Sequence, residues 1–386
     1  MPLEALVNVE QLVAGDPRDA TVRHLRVRDQ LLRIVTTSAE ANDLVTETFY
    51  PDGMLGVFEA TSRHDPDLTV VDLTCDASDI QELLRRKSLT AARGEFELTR
   101  GFRLPRYDSA THTVFTLRDV NSDEVAAVVR TEGRVTILRP ASGLGDRWLT
   151  RIVRDVATRL AKAAGSLVLH SSAFVFDHGA YLVIGDSGAG KSTTAIALAR
   201  RLPSAGWMGN DRIHAEWQGH HYRVTACPLP LAVNKGSLDV MGVTDFGSWP
   251  VRAGLPGSGS DWDQFQGEDK LKLSSREVNR FLQVPVIPNM RLAGVLLPRV
   301  DLASGYSFGL TTPAYTAEVI TRNCFSLDDN LYGEDWLGVP ARRTAAAPSI
   351  DAFLEHIADL PVLRCSMGSA GDVAKLAGDF QEAVKT

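Results

Sequence analysis

The stretch that decides the fold of this chain is Ala180-Tyr181-Leu182-Val183-Ile184-Gly185-Asp186-Ser187-Gly188-Ala189-Gly190-Lys191-Ser192-Thr193-Thr194-Ala195. Its first five residues are an apolar run that reads as a buried strand, and the alanine-containing run after Lys191 reads as a helix. Between them, Gly185 to Ser192 fits G-x-x-x-x-G-K-[ST] at every required position, the Walker A or P-loop pattern in its proper strand–loop–helix setting. Gly185, Gly188 and Gly190 let the main chain wrap close to a phosphate with its N–H groups turned inward, which side chains there would block. The helix opening at Lys191 adds its positive end, worth about 0.3–1 kcal/mol per favourable charge at an exposed site.

In such a cradle the ammonium of Lys191 reaches the β- and γ-phosphates of a nucleoside triphosphate, and the Ser192 hydroxyl completes a magnesium shell. The expected ligand is ATP with Mg²⁺. The expected contacts are Gly185, Asp186, Ser187, Gly188, Ala189, Gly190, Lys191, Ser192 and the neighbouring Thr193. Two large classes of triphosphate-binding protein are excluded. No L-S-G-G-Q signature or four-apolar run ending in Asp-Glu is present, which removes the ABC transporters. The Asn-Lys pair Asn234-Lys235 continues as Gly236-Ser237, so the base-reading acid of a GTPase's N-K-x-D is missing.

Upstream, Leu149, Ile152, Val153, Val156, Leu160 and Ala164 recur at three- and four-residue intervals, which predicts an amphipathic helix stopped by Gly165. Leu167–His170, Ala173–Phe176 and Ala180–Ile184 then read as strands feeding the loop, with a turn at Asp177-His178-Gly179. Residues 1 to about 145 read as a separate mixed α/β unit. Its strand candidates centre on Leu31–Val35, Thr69–Leu73, Thr113–Leu117, Glu124–Val129 and Arg134–Leu138, the last two joined by a hairpin at Thr131-Glu132-Gly133. His64 and His112 fall in polar stretches of that unit and read as solvated surface.

Downstream, Leu255-Pro256-Gly257-Ser258-Gly259-Ser260 belongs to a stretch, 248–260, too poor in apolar side chains to pack a core. It reads as a mobile loop inside the second domain, with an interdomain linker as the rival. A strand over Leu292–Leu297 and helices over Ala314–Asn323, Ile350–Leu360 and Ser369–Val384 follow. The domain expectation is therefore 1–145 as an accessory or substrate-selecting α/β domain and 146–386 as the P-loop domain.

The chain has 386 residues, enough for two or three domains, with 44% apolar and 23% charged residues as in an ordinary globular protein. Its formal net charge of −7 and the lack of a basic stripe argue against nucleic acid or an anionic membrane as partner. The start Met1-Pro2-Leu3-Glu4 has no basic segment and no apolar run behind it, and no window holds the roughly 18 apolar residues of a membrane span, so a cytoplasmic location is expected. Cys75, Cys227, Cys324 and Cys365 are far apart and lack C-x-x-C spacing, which predicts buried thiols instead of a zinc cluster or a disulfide framework. The adjacent His220-His221 reads as a hairpin tip, not a metal site.

A resemblance then becomes visible. His170 stands fifteen residues before Gly185, and the loop is spelled G-D-S-G-A-G-K-S; together they resemble the catalytic domain of the HPr kinase/phosphorylase family and the related enzymes of bacterial biosynthetic clusters. That family is similar in fold to the phosphoenolpyruvate carboxykinases. The likeness continues at Gly209-Asn210-Asp211-Arg212-Ile213, where the family carries an Asp-Asp pair, and in weaker echoes at Pro230–Leu238, Asp269–Lys272 and Val295–Arg299. It covers roughly residues 147–380. It implies an α/β (α+β) fold with a C-terminal P-loop domain of the HPr-kinase/carboxykinase-like type.

By the same resemblance the activity is that of an ATP-dependent kinase with a hydroxyl acceptor, a peptide or protein Ser or Thr or a small metabolite. Asp211 would help hold Mg²⁺, as Ser192 does, and His170 would lie near the γ-phosphate, so that Lys191, Asp211 and His170 form the catalytic set. Lys235, Lys270, Lys272 and Arg299 are further candidates for the phosphate or an acidic substrate, each with surface charge as the alternative. The sequence leaves a homo-oligomer open.

The departure is Asn210. It occupies the place of the family's first acid, and an amide cannot act as a general base. Three explanations stand open: Asp211 does both jobs, Asp186 or His170 supplies the base, or the protein binds ATP without phosphorylating a hydroxyl. The last is a nucleotide-sensing module or catalytically weakened relative.

Overall fold

The structure is a computed structural model and describes residues 19–27, 30–51, 53–54, 57–60, 65–99, 102–118, 124–141, 147–243, 270–300, 305–327, 334–339, 349–369 and 371–385. The segment 248–260, His64 and Asp269, singled out in the sequence, lie outside these residues.

The chain is a mixed α/β protein that divides into two units. The first comprises Met1–Asp52, Gly56–Ala164 and Asp328–Thr344. Its elements are β1 (Thr21–Val27), β2 (Gln30–Thr36), α1 (Ala39–Thr48), β3 (Val57–Glu59), β4 (Leu68–Thr74), α2 (Ala77–Thr90), β5 (Ala92–Thr99), β6 (Phe102–Asp108), β7 (Thr113–Arg118), β8 (Val125–Thr131), β9 (Arg134–Arg139) and α3 (Arg147–Ala163). Among the described residues the strands form one sheet in the order β3-β1-β2-β4-β9-β8-β7-β6-β5, parallel only at β2–β4 and β4–β9. The hairpin β8–β9 turns on Glu132-Gly133, with Thr131 opposite Arg134 and Gly133 at φ 65°.

At the middle of that sheet the guanidinium of Arg139, fully buried, donates to both oxygens of Asp72 at 2.7 and 2.9 Å. Thr36 Oγ1 donates to the same carboxylate at 2.7 Å. The buried charge is thereby paired and hydrogen-bonded, the condition under which it can be tolerated. His112, expected as solvated surface, is half-buried, with its Nε2 2.8 Å from Lys87 Nζ.

The division differs from the expected boundary near residue 145. The helix predicted from the 149–164 periodicity forms as α3, but it falls in the first unit, not in the P-loop unit. The reason is its packing: α3 lies against α1, and its Asp155 accepts from Trp336 Nε1 at 2.8 Å and from Arg159 Nε at 3.1 Å. Trp336, from the returning segment, is itself wedged between Phe96 and Phe115 with ring centroids 5.7 and 5.2 Å away. An aromatic in such a pocket contributes about 2–3 kcal/mol of burial, which a loop segment with no pattern of its own cannot announce.

The second unit comprises Gly53–Leu55, Gly165–Leu327 and Ala345–Thr386. Its elements are β10 (Leu167–Leu169), β11 (Ser171–Phe176), β12 (Gly179–Ile184), α4 (Lys191–Arg201), β13 (Gly206–Gly209), β14 (Ile213–Trp217), β15 (Tyr222–Ala226), β16 (Leu231–Val233), α5 (Lys235–Val240), β17 (Leu271–Leu273), α6 (Ser275–Leu282), β18 (Asn289–Val300), β19 (Ser307–Leu310), α7 (Pro313–Arg322), a 3-10 turn at Phe325–Leu327, α8 (Ile350–Ala358), β20 (Val362–Met367) and α9 (Asp372–Ala383). The sheet order is β10-β14-β15-β18-β12-β11-β13, with β20 beside β18 and β19 beside β20. A short pair, β16–β17, stands apart.

Strands β11 and β12 are buried along their whole length, so alternation splits their side chains between two cores. Phe174, Phe176, Tyr181 and Val183 face a cluster with Ala195–Ala199 of α4 and with Leu376 and Phe380 of α9. Ala173, Val175, Leu182 and Ile184 face the other cluster, with Val319 and Ile320 of α7 and Phe353 and Ile357 of α8. The two strands are joined by Asp177-His178, both at positive φ (47° and 62°), the two-residue turn whose twist matches the hairpin. Since β12 runs parallel to β18, Gly185 emerges beside the carboxyl end of β18. The four cysteines are all buried and outside any disulfide, and burial pushes the Cys75 thiol up to about 11. No helix of the described residues is long and apolar enough to cross a membrane.

Candidate functional site

The loop Gly185–Gly190 leaves β12 and closes onto α4 through two glycines of positive φ, Gly188 at 81° and Gly190 at 87°. A Cβ at Gly190 would stand 2.6 Å from Val300 Cγ2, so the main chain can approach the end of β18 only without a side chain. A Cβ at Gly188 would meet nothing within 4 Å, so its positive φ alone calls for glycine there. Gly190 is the N-cap of α4 and no side chain caps the helix, so its first N–H groups face the loop without a side-chain acceptor. An uncapped helix end behind a glycine turn fits a phosphate group.

Lys191 is 8% exposed, and its Nζ donates to the carbonyls of Gly185 at 2.8 Å and Asp186 at 3.0 Å. Two of its three protons thus hold the ammonium across the loop. Burial lowers its pKa, opposed by the charges of Asp211 and Asp186. Beside it, Ser192 Oγ lies 3.2 Å from Ser172 Oγ on β11, and Thr193 Oγ1 lies 2.6 Å from Ser237 Oγ on α5. Ser237 is in turn fixed by Asn234, whose Oδ1 accepts from its N–H and its hydroxyl at 2.9 Å each. The Ser192 and Thr193 hydroxyls therefore each have a partner on a neighbouring element.

The second group comes from the ends of β10 and β13. His170 Nε2 is 3.5 Å from Asp211 Oδ1, and the imidazole together with Arg212 and Lys191 holds the Asp211 carboxyl below its ordinary value against the opposing cost of burial. Asp211 takes φ 66°, a left-handed conformation uncommon for a residue with a side chain. Beside it Asn210 is 5% exposed, and its Oδ1 has no hydrogen-bond partner among the described residues. His170 is held from two sides. Its backbone N–H donates to Asn323 O at 2.7 Å, and its ring stacks on Phe325 with centroids 5.0 Å apart and planes at 16°.

Of the residues singled out in the sequence, His170, Asp211, Lys191 and the whole loop come together here, and the Lys191 and Asp211 charges act on each other's titration. Asp186 is turned to Arg322 of α7, which donates to both of its oxygens at 3.0 and 3.1 Å. Lys270, Lys272 and Arg299 are exposed and Lys235 is half-buried at the start of α5. His220 and His221 sit in the β14–β15 hairpin, beyond the pair Trp217–Tyr222.

Ser172, Ser237, Arg322, Asn323 and Phe325 were not foreseen. They stand outside the G-x-x-x-x-G-K-[ST] pattern and reach the loop or His170 from β11, α5, the end of α7 and the 3-10 turn after it. Among the described residues no cluster of three or more His, Cys, Asp or Glu groups forms a metal cage. For a Mg²⁺ ion arriving with a triphosphate that is no obstacle, because magnesium is ordinarily held by one or two carboxylates, water and phosphate oxygens.

No protein-family profile matches the sequence, and neither does any curated protein. Among solved structures, the HPr(Ser) kinase/phosphatase from Coxiella burnetii is similar to this chain, at 10% identity and a TM-score of 0.24 over 56% of this chain and 95% of that one. At that score the likeness says nothing of what this chain does.

Proposed function

We propose that the protein binds ATP with Mg²⁺ at Gly185–Thr193 and transfers the terminal phosphate to a hydroxyl, on a peptide or protein Ser or Thr or on a small metabolite. The observation that carries this reading is the convergence of a buried P-loop lysine with the His170–Asp211 pair at one end of one sheet. The loop N–H groups and Lys191 would hold the β- and γ-phosphates, and Ser192 and Asp211 would hold the magnesium. Bound there, the metal would supply charge neutralisation to the transferring group.

In the transfer, the bond from phosphorus to the leaving oxygen breaks, a bond to the acceptor oxygen forms, and the acceptor's proton passes to a base. Asn210 cannot take that proton, and Asp186 is engaged by Arg322. The pair His170–Asp211 is the base in this reading. A neutral His170 that gives its Nε2 proton toward Asp211 keeps the Nδ1 lone pair for the acceptor. Incubation with γ-labelled ATP and candidate acceptors, with Lys191→Ala as control, tests it. Label should appear in an acceptor, and ATP consumption that never needs one would count against the kinase reading.

A second reading, a nucleotide-sensing module or weakened kinase relative, is favoured by Asn210, buried with an unpartnered carbonyl oxygen where the resemblance expects an acid. Asn210→Asp separates the two. A large rise in transfer marks the natural protein as weakened or non-catalytic, and a fall marks Asn210 as part of a working site with another base.

A further inference from the structure

The phosphate loop carries a carboxylate, Asp186, one residue after its first glycine, and a negative charge at that place opposes a polyanionic ligand. Its guanidinium partner comes from 136 residues downstream: Arg322 Nε and Nη2 reach Asp186 Oδ1 and Oδ2 at 3.0 and 3.1 Å, the two-pronged geometry in which a guanidinium matches a carboxylate best. Arg322 Nη1 also donates to Glu318 on its own helix at 3.1 Å. Both partners of the long-range pair are open to water, Arg322 at 49% and Asp186 at 61%, and exposed pairs of this kind add little to folding. The residues just after Arg322 contact the other half of the site, since Asn323 O receives the His170 N–H and Phe325 stacks on its ring. The end of α7 and the residues just after it therefore touch both the phosphate loop and His170.

We infer that Arg322 is a positioning residue of the triphosphate site, which neutralises Asp186 and keeps its carboxylate turned away from the bound phosphates. This rests on the nucleotide-binding reading. The guanidinium acts through Asp186 and is not itself a phosphate ligand.

The test is a charge cycle read by calorimetric binding of ATP and ADP with Mg²⁺ to the full chain. Arg322→Gln should weaken ATP binding about tenfold, and ADP binding less, because the freed carboxylate repels the more charged ligand more strongly. Asp186→Asn/Arg322→Gln should bind ATP several-fold more tightly than Arg322→Gln alone, since the charge that needed a partner is gone. Glu318→Gln should bind as the natural protein does. Unchanged binding by Arg322→Gln would overturn the proposal. So would a double variant as weak as the single one, which would make Arg322 a direct phosphate ligand.

Amide exchange across residues 186–190, measured without nucleotide, reads the clamp independently. Arg322→Gln should speed exchange there, and equal rates would sink the inference. If the natural protein binds no nucleotide while the exchange effect is present, the clamp stands and the ATP reading is what fails.

Discussion

His170 Nε2 and Asp211 Oδ1 stand 3.5 Å apart, although 41 positions separate them in the chain and each sits just beyond the end of a different strand. The contact lies at the outer edge of hydrogen-bond distance. If the pair takes the acceptor's proton, His170→Asn and Asp211→Asn should each lower phosphoryl transfer by about 10²–10⁴-fold, as loss of a general base does. His170→Asn should leave ATP affinity within a few-fold of the natural value. Initial rates beside calorimetric affinities check this, and equal losses in both would point to a binding role.

The same pair sets a pH dependence. Asp211 is held below the ordinary value of 3.8, so the carboxylate favours the folded state above that value, and the contribution is lost as pH falls through the lowered one. Thermal melts of the natural protein and Asp211→Asn between pH 3 and pH 7 should converge at the acid end and diverge toward neutrality.

At the alkaline end, Lys191 governs. Burial lowers its pKa from the ordinary 10.5, so triphosphate affinity should start to fall at a pH where an exposed lysine would still be charged. Lys191→Ala should bind ATP too weakly to measure and melt no lower than the natural protein, because its removal also removes a buried charge. Affinity titrations up to pH 10, with Lys191→Arg as comparison, test this.

The two loop glycines should separate strain from collision. Gly188→Ala meets only an unfavourable positive φ of 81°, a cost of about 1 kcal/mol. Gly190→Ala adds contact with Val300 Cγ2 at 2.6 Å and should cost about 1–3 kcal/mol by denaturant unfolding. Equal costs would mean that the end of β18 yields freely.

In the first unit, Arg139→Leu leaves Asp72 buried and uncompensated and should cost about 3–5 kcal/mol in denaturant unfolding. Asp72→Asn/Arg139→Leu should recover much of that, because the stranded charge is gone.

Much of the secondary structure was legible because its signals are local. The alternating or continuous apolar runs at 31–35, 69–73, 113–117 and 292–297 all lie in strands, and the three- and four-residue spacing after 147 lies in α3. The turn at Asp177-His178 formed where the pattern placed it. The last helix begins at Asp372, later than the expected Ser369, and the Asp372 carboxylate holds the preceding turn by accepting from the N–H groups of Gly368 and Ser369 at 2.9 Å each. The division of the chain was not legible in the same way. The periodicity of 149–164 shows that the helix has an apolar face, but not that Asp155 would be claimed by Trp336 from almost two hundred residues away.

The course of the glycine-rich loop was legible in the sequence alone, since glycines at fixed spacing between a strand and a helix allow the positive φ of Gly188 and Gly190 that brings Lys191 across its own turn. The tertiary structure decided what surrounds it. Asp186 meets Arg322, Ser192 meets Ser172, and His170 is seated on Phe325 because α7 and the strand ends of one sheet bring distant segments together, and no local pattern encodes such a meeting. Short-range sterics write themselves into spacing, whereas the partners of an exposed charge or an aromatic ring are chosen by packing.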